Sequence, residues 1–464
     1  MTFQVTKSLK LIAEVEYLDD MRPPDSGIVA IGTGIPPIAP GSSYSENLAY
    51  NDVQTVTARY EVLYTAGEHV SFRHAYRNNQ TNEGGDEVTV TGVSANNLLV
   101  NRRVSRTSNW VDNLYTQNDL ILNFKTGGAR HNLLLGFEYG WNDSGDRASR
   151  ASLATIAVTN PVRGLATPGA FTLFSDTRSK VWFRESYIQD QVFLFNDHLT
   201  LLGGVRYANS GQRTNNYLTS VVARTGSADP NPRLGAVWLP GAGFSLFAVQ
   251  TAILVPGTSS DPDGTTFDPV ESKLTEVGLR AELMGKRFVG TVSFFDITQT
   301  NVLVPDPARV GFRLQTGERT SRGVEIDLTA NPMRGWQILG AISLTKAEVS
   351  ADTVIKVGNK LPNTPAETFS LWNKYTVQSG QLAGLGMGAG VISVAKRWGD
   401  DTNTFTVDPY TRVDLSLDYR WKRWLLGVNL RNALNTDYIE ASSSRLAVRP
   451  GAPRNFLAQL RYRF

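Results

Sequence analysis

Four histidines, His69, His74, His131 and His198, are the only imidazoles in a chain of 464 residues that has no cysteine. Without thiols there is no disulfide framework, no cysteine nucleophile and no thiolate metal site. Three of the histidines fall at short turns or strand starts and His74 lies within a strand. None stands in an H-x₃-H spacing beside a carboxylate, so no metal site is expected. Carboxylates do share faces: Glu325 with Asp327, and Glu276 with Glu282, have the even spacing that aims side chains the same way from a strand. Such pairs are what general acid–base chemistry needs. They lie beside Arg280, Arg322 and Arg412, however, and read as a mixed-charge wall. No G-x-S-x-G elbow occurs. The glycine runs GAG at 241–243 and GMGAG at 386–390 precede no helix, which a dinucleotide fingerprint requires. They are expected to serve turns and close packing, and no enzyme activity is expected.

The elements that must carry these residues are strands. Val413, Leu415, Leu417, Tyr419 and Trp421 alternate with Arg412, Asp414, Ser416, Asp418 and Arg420, apolar one way and polar the other. Val324, Ile326 and Leu328 do the same, as do Val277, Leu279 and Ala281, and Val56, Ala58, Tyr60, Val62 and Tyr64. The pattern predicts about 18 strands, each able to supply the 9–11 residues of a tilted membrane crossing. They lie near 4–17, 52–65, 69–78, 108–125, 131–142, 179–195, 198–208, 230–240, 243–253, 269–283, 287–299, 319–331, 335–348, 366–378, 382–396, 409–421, 424–433 and 453–464.

Connections alternate in length. Short turns such as TAGEH at 65–69, TGGAR at 126–130, FND at 195–197, MGKR at 284–287 and WKR at 421–423 take turns with long polar stretches. Those stretches include 18–51, 79–105, 143–178, 209–228, 349–364, 397–408 and 434–450, all expected to be loops. A meander with short turns at one end and long loops at the other gives this asymmetry, as in outer-membrane barrels. A soluble sandwich would fill its enclosed face with hydrocarbon. Here the polar face carries Arg, Asp and Glu, which asks for a wide wet lumen and sends the apolar face to lipid. Only a closed barrel leaves no backbone edge in hydrocarbon. Trp336, Tyr419, Trp421, Trp424 and Tyr462 suit interfacial girdles. A propeller or solenoid would show a fixed-period repeat, which is missing. The 46 basic and 43 acidic residues, net +3, argue against a nucleic-acid partner.

Several stretches carry a resemblance: LTEVGLRAEL followed by VSFFDITQTN, then TGERTSRGVEIDLTANP, LPNTPAETFSLWNKY, VNLRNALNTDYI and GAPRNFLAQLRYRF. In order and spacing the chain resembles TonB-dependent outer-membrane receptors, most closely the ferric-siderophore group. The resemblance implies an all-β, antiparallel, up-and-down transmembrane barrel of roughly 22 strands, with a plug and a coupling segment that engages TonB. The chain is expected to be a single barrel domain over 1–464, without signal peptide or plug, beginning near the family's fifth strand. A plugless passive pore and a truncated, non-functional remnant stay open beside the receptor reading. The resemblance implies a ferric siderophore as ligand, iron arriving inside its chelator and no cofactor of the protein's own. It also implies outer-membrane lipid and the barrel-assembly machinery as partners.

Binding belongs to loops, and bulky chelates are held by rings and a few polar contacts. Tyr44, Trp110, Trp141, Tyr217, Phe312, Arg313, Trp398 and Tyr438 are the candidate contacts, each equally readable as girdle or loop packing. At the C-terminus, FLAQLRYRF puts Phe456, Ala458, Leu460, Tyr462 and Phe464 on one face. With its terminal Phe this closing strand resembles an assembly signal, Tyr462 and Phe464 standing at the periplasmic girdle.

Overall fold

The computed structural model describes residues 1–25, 27–38, 41–255, 267–306, 308–309 and 313–463, and its regular structure is strand throughout. The strands are β1 (Thr2–Gln4), β2 (Leu9–Arg22), β3 (Tyr50–Ala66), β4 (Val70–Val93), β5 (Leu99–Thr126), β6 (Ala129–Ala157), β7 (Thr172–Leu194) and β8 (Leu199–Asn216). Next come β9 (Val221–Gly241), β10 (Phe244–Val255), β11 (Val270–Leu283), β12 (Phe288–Pro305), β13 (Arg313–Ala330), β14 (Trp336–Ala351), β15 (Glu367–Thr376) and β16 (Leu385–Val394). The last are β17 (Arg397–Trp398), β18 (Thr406–Val407), β19 (Tyr410–Trp421), β20 (Trp424–Arg431), β21 (Ile439–Ser444), β22 (Ala447–Pro450) and β23 (Asn455–Tyr462). All strands but two small hairpins, β17–β18 and β21–β22, join one 19-stranded sheet in which each pairs antiparallel with its neighbour in sequence. Leaving out the short β1, every strand expected from the alternation is present.

The lengths differ from expectation in one region. The polar stretches 79–105, 143–178 and 209–228 are mostly strand, because β4 to β9 continue far beyond a membrane crossing. The β4–β5 ladder runs from Val70↔Leu122 to Val93↔Val100, and only 94–98 connects the two strands. Outside hydrocarbon neither face needs to be apolar, so the alternation fades while the backbone ladder continues. A second departure lies at β9. It stays in register with β8 through Pro230 and Pro232, but β10 leaves it after Thr251↔Arg233. Residues two apart point their N–H groups at the same neighbour, and proline has none to give.

The sheet has edges at β1 and β23, and among the described residues no register joins them. Their loops meet instead. Ile28 N donates to Val448 O at 2.7 Å, Val448 N donates back to Ile28 O at 3.0 Å, and Ala30 N donates to Arg445 O at 2.8 Å. A sheet whose first and last loops are hydrogen-bonded to each other has curled round on itself. Its outward face carries exposed Val56, Tyr60, Tyr64, Phe137, Trp182, Val205, Tyr207 and Val277, a lipid-facing surface. At the short-turn end Trp424 packs on Tyr462 with ring centroids 4.6 Å apart, and Trp336 Nε1 donates to Asn373 at 2.7 Å. Phe464 lies outside the described residues.

Candidate functional site

The inward face of β3 to β8 carries a belt of linked polar side chains. Arg73 donates to Glu61 at 3.0 Å, to Gln117 at 2.8 Å and to Asp119 at 3.2 Å. Gln117 Nε2 donates to the Tyr187 oxygen at 3.0 Å, and the Tyr187 hydroxyl donates to Asp119. Arg206 bridges Glu138 and Glu185 on the next strands. A side chain at position 136 would lie 1.9 Å from the Tyr187 ring, so Gly136 makes the room that lets Tyr187 lie flat along the wall. Below Asn231 and Arg233, where β10 leaves β9, the belt borders a recess of about 590 Å³. Charge-assisted bonds of this kind fix side-chain positions on a wet surface. The far wall is built alike, with Arg280 on Glu282 at 2.9 Å and Lys374 on Asp418. Arg322, expected in this wall, instead pairs with Asp296 at 2.8 Å on the outward face, where both share the parity of Val324 and Phe294. The carboxylates suspected of acid–base work are thus drawn into ion pairs where Glu282 is concerned. GMGAG lies in β16, and side chains at Gly388 or Gly390 would strike the Trp372 ring, which is the close packing expected there.

At the opposite end the long loops form a core of their own. Ile28, Val29, Ala30 and Tyr44 from the β2–β3 loop pack with Val90, Val100, Ile156 and Val158 from the strand tips. Phe405, Val407 and Val448 from the two small hairpins complete it. Arg102 and Glu46 form an ion pair at 3.0 Å with both side chains 2% exposed. Arg102 also donates to the carbonyls of Ala154 at 3.0 Å and Tyr44 at 2.8 Å, while Glu46 accepts from Gly164 N. Arg397 reaches from β17 to Asn363 at 2.8 Å and to the Ile439 carbonyl at 2.8 Å, and burial pushes its guanidinium down from its usual value. Within VNLRNALNTDYI, the fully buried Asn432 donates to the carbonyls of Thr436 and Ala452 and accepts from Thr436 N, fixing the β20–β21 connection.

The candidate contact residues divide among three places. Tyr44, Trp398 and Tyr438 belong to the loop-end assembly. Tyr44 is 1% exposed, its hydroxyl donates to Val158 O at 2.9 Å, and burial pushes its phenol up to about 12. Tyr438 packs at a tilt against Tyr410, with ring centroids 4.4 Å apart, and accepts from Arg412 at 3.1 Å, and Trp398 O accepts from Asn363 N. Trp110 and Trp141 sit on the outward face, Trp141 directly across from Trp182, where a second girdle belongs. Tyr217 and Arg313 are exposed at strand ends, and Phe312 lies outside the described residues. The residues that hold the loop end together, Arg102, Glu46, Arg397 and Asn432, were absent from the sequence candidates. The alternation of VTVTGV at 88–93 marks a strand inside the stretch 79–105 expected to be loop, but it signals the strand and not the ion pair. Among the described residues no three His, Asp or Glu side chains converge as a metal set.

Residues 3–433 match the model of the TonB dependent receptor-like β-barrel family. The chain belongs to this family. It is 30% identical over 363 residues to the metal-pseudopaline receptor CntO of Pseudomonas aeruginosa, covering 76% of this chain and 51% of that protein. It is 27% identical over 378 residues to the ferrichrome outer membrane transporter/phage receptor of Escherichia coli, covering 76% and 49%. The TonB-dependent receptor-like chain therefore spans about half the length of the curated relatives it matches. In fold it is similar to the siderophore receptor PiuA of Acinetobacter baumannii, with a TM-score of 0.89 over 99% of this chain and 73% of that one at 18% identity. The Escherichia coli ferric-catecholate import receptor Fiu gives 0.86 over the same shares at 19%. The curled sheet is thus the family's barrel, and its place is the bacterial outer membrane. Family members are receptors and transporters.

Proposed function

We propose that the protein works as the barrel of an outer-membrane receptor that takes up ferric siderophore complexes. The observation that carries this reading is the division of labour along the barrel axis. A locked loop assembly stands at the outer end, and below it an enclosed wall of ion pairs can pass a bulky polar solute. Relatives named for pseudopaline, ferrichrome and ferrioxamine support the choice of cargo. The iron arrives inside its chelator, so the reading needs no cofactor, no metal ligands and no enzymatic step from the protein. TonB couples transport wherever a plug and a coupling segment accompany this barrel. Outer-membrane lipid meets the apolar face, and the barrel-assembly machinery reads the closing strand with Tyr462 and Phe464.

Uptake of radiolabelled iron, supplied as a ferric hydroxamate or a ferric catecholate to cells lacking their own receptors, tests the reading. Uptake that depends on this protein and on TonB is expected. A steady, large conductance in planar bilayers, with no chelate-dependent uptake, would identify a passive pore instead.

A further inference from the structure

Several arginines on the tall strands have a carboxylate partner, as Arg102 has Glu46, Arg106 has Asp86 and Arg178 has Asp143. Arg103 of β5 and Arg150 of β6 do not. Register places Arg103 opposite Ser152 and Arg150 opposite Ser105, a diagonal pair on one face with a spacing of about 7–8 Å. That face is continuous with the lumen wall, since Arg103 shares the parity of Asp119 on β5 and Arg150 that of Glu138 on β6. The opposite face, with Val88, Val104 and Leu153, is covered by the loop residues Ala49 and Phe171, so the arginine side is the open one. The Nε atoms of both arginines are shielded from solvent and have no hydrogen-bond partner. The Arg150 guanidinium lies over the Phe174 ring, 3.2 Å from its centroid. Glu87, the acid nearest in register, faces Ser105 from β4 and pairs with neither arginine. Burial, and then the Arg103 charge, push Arg150 down from its usual value, the sign of a cation without a counter-ion. Two guanidinium forks beside an aromatic floor match a planar oxyanion that offers two oxygens to each fork.

We infer that Arg103, Arg150 and Phe174 form an anion subsite that takes a carboxylate or catecholate group of the incoming ferric chelate. The inference rests on the receptor reading and deepens it: the preferred cargo is a chelate with net negative charge. Binding is measured on the detergent-solubilised protein with two probes, a ferric tris-catecholate, which is anionic, and a ferric tris-hydroxamate, which is uncharged. Heat-modifiable migration checks that each variant is folded. Arg103→Gln/Arg150→Gln is expected to weaken the anionic chelate about tenfold or more and to leave the neutral one unchanged. Arg103→Lys/Arg150→Lys, which keeps the charge but loses the forks, is expected to fall in between. Added salt should weaken only the anionic chelate on the unaltered protein, a readout independent of any variant. Equal losses for both chelates, or none for either, would overturn the subsite and leave the receptor reading standing. Failure of the unaltered protein to bind either chelate would overturn the receptor reading, and the subsite with it.

Discussion

Arg102 and Arg106 stand four residues apart on β5 and on the same face of the strand, yet they belong to different kinds of structure. Arg102 is sealed in the loop core with its partner Glu46, each side chain 2% exposed. Arg106 pairs with Asp86 through two 2.8 Å bonds in the tall hairpin, with its own side chain 57% exposed. The same contrast separates two regions of the molecule. The tall strands β4 to β9 rise above the membrane on backbone ladders between chain neighbours, with surface ion pairs along them. The C-terminal loops and the β2–β3 loop have little ladder of their own and depend on a shared interior. That interior joins segments about four hundred positions apart in sequence, such as Ile28 and Val448. A ladder loses little when one side chain goes, whereas a core with a buried charge loses a great deal.

The largest effect therefore belongs to Arg102→Ala. It leaves the Glu46 carboxylate buried without its cation, a loss of about 3–5 kcal/mol. The loss should be local, releasing the 23–49 loop to protease and to amide exchange while the heat-modifiable migration of the barrel stays unchanged. A loop as protected as in the unaltered protein would show that the ion pair is not what holds it. The cut should also loosen the β21–β22 hairpin, since the two are bonded through Val448.

Asn432→Ala comes next. It strips the partner from Thr436 N, from the Thr436 carbonyl in the β20–β21 connection and from the Ala452 carbonyl in the β22–β23 connection, at a cost of about 1–3 kcal/mol. Faster exchange at Thr436 N, with β19 and β20 still protected, is the expected signature. Uniform protection would mean the turn is held by its packing alone.

How legible each region was in the sequence follows from the same physics. The membrane-crossing strands were readable because lipid on one side and water on the other force strict alternation, as in 412–421 or 56–64. The tall extensions were not, since water wets both faces of RNNQTNEGGDE at 77–87 and no alternation is imposed. Their signal returned only at Val88 and Val90, where the loop core covers one face. The loop core itself was least legible. Tyr44 was noticed as a ring and Tyr438 as another, but nothing local in either stretch announces that Glu46 will meet Arg102 or that Arg397 will reach Ile439. Such contacts depend on how the sheet curls, and curling is a property of the whole sheet.

Arg106→Ala tests the ladder side of the contrast. An ion pair with one exposed partner contributes about 0–1 kcal/mol, even with both bonds in place. Protease resistance of the β4–β5 hairpin should stay within twofold or so of the unaltered protein, which corresponds to a few tenths of a kcal/mol. A loss as large as that of Arg102→Ala would erase the distinction drawn between the two arginines.

The smallest effect is a pH dependence at the edge of the C-terminal loops. Asp352, just past β14, loses stability of its charged form to burial, but more than regains it from the N–H groups of Val354 and Ile355 and from Arg319 at 2.7 Å. Its carboxyl is therefore held below the usual range. A depressed carboxylate contributes stability that is fully present above the unfolded-state value, near 4, and is lost as pH falls through the folded one. Exchange at Val354 and Ile355 should thus be flat from neutral pH down to about 4 once intrinsic rates are divided out, and should accelerate below it. In Asp352→Asn the acceleration should vanish, since an amide still accepts the two N–H bonds but does not titrate. A step near pH 6 would point to another group. No step in either protein would mean that Arg319 and the turn hold this edge without the charge.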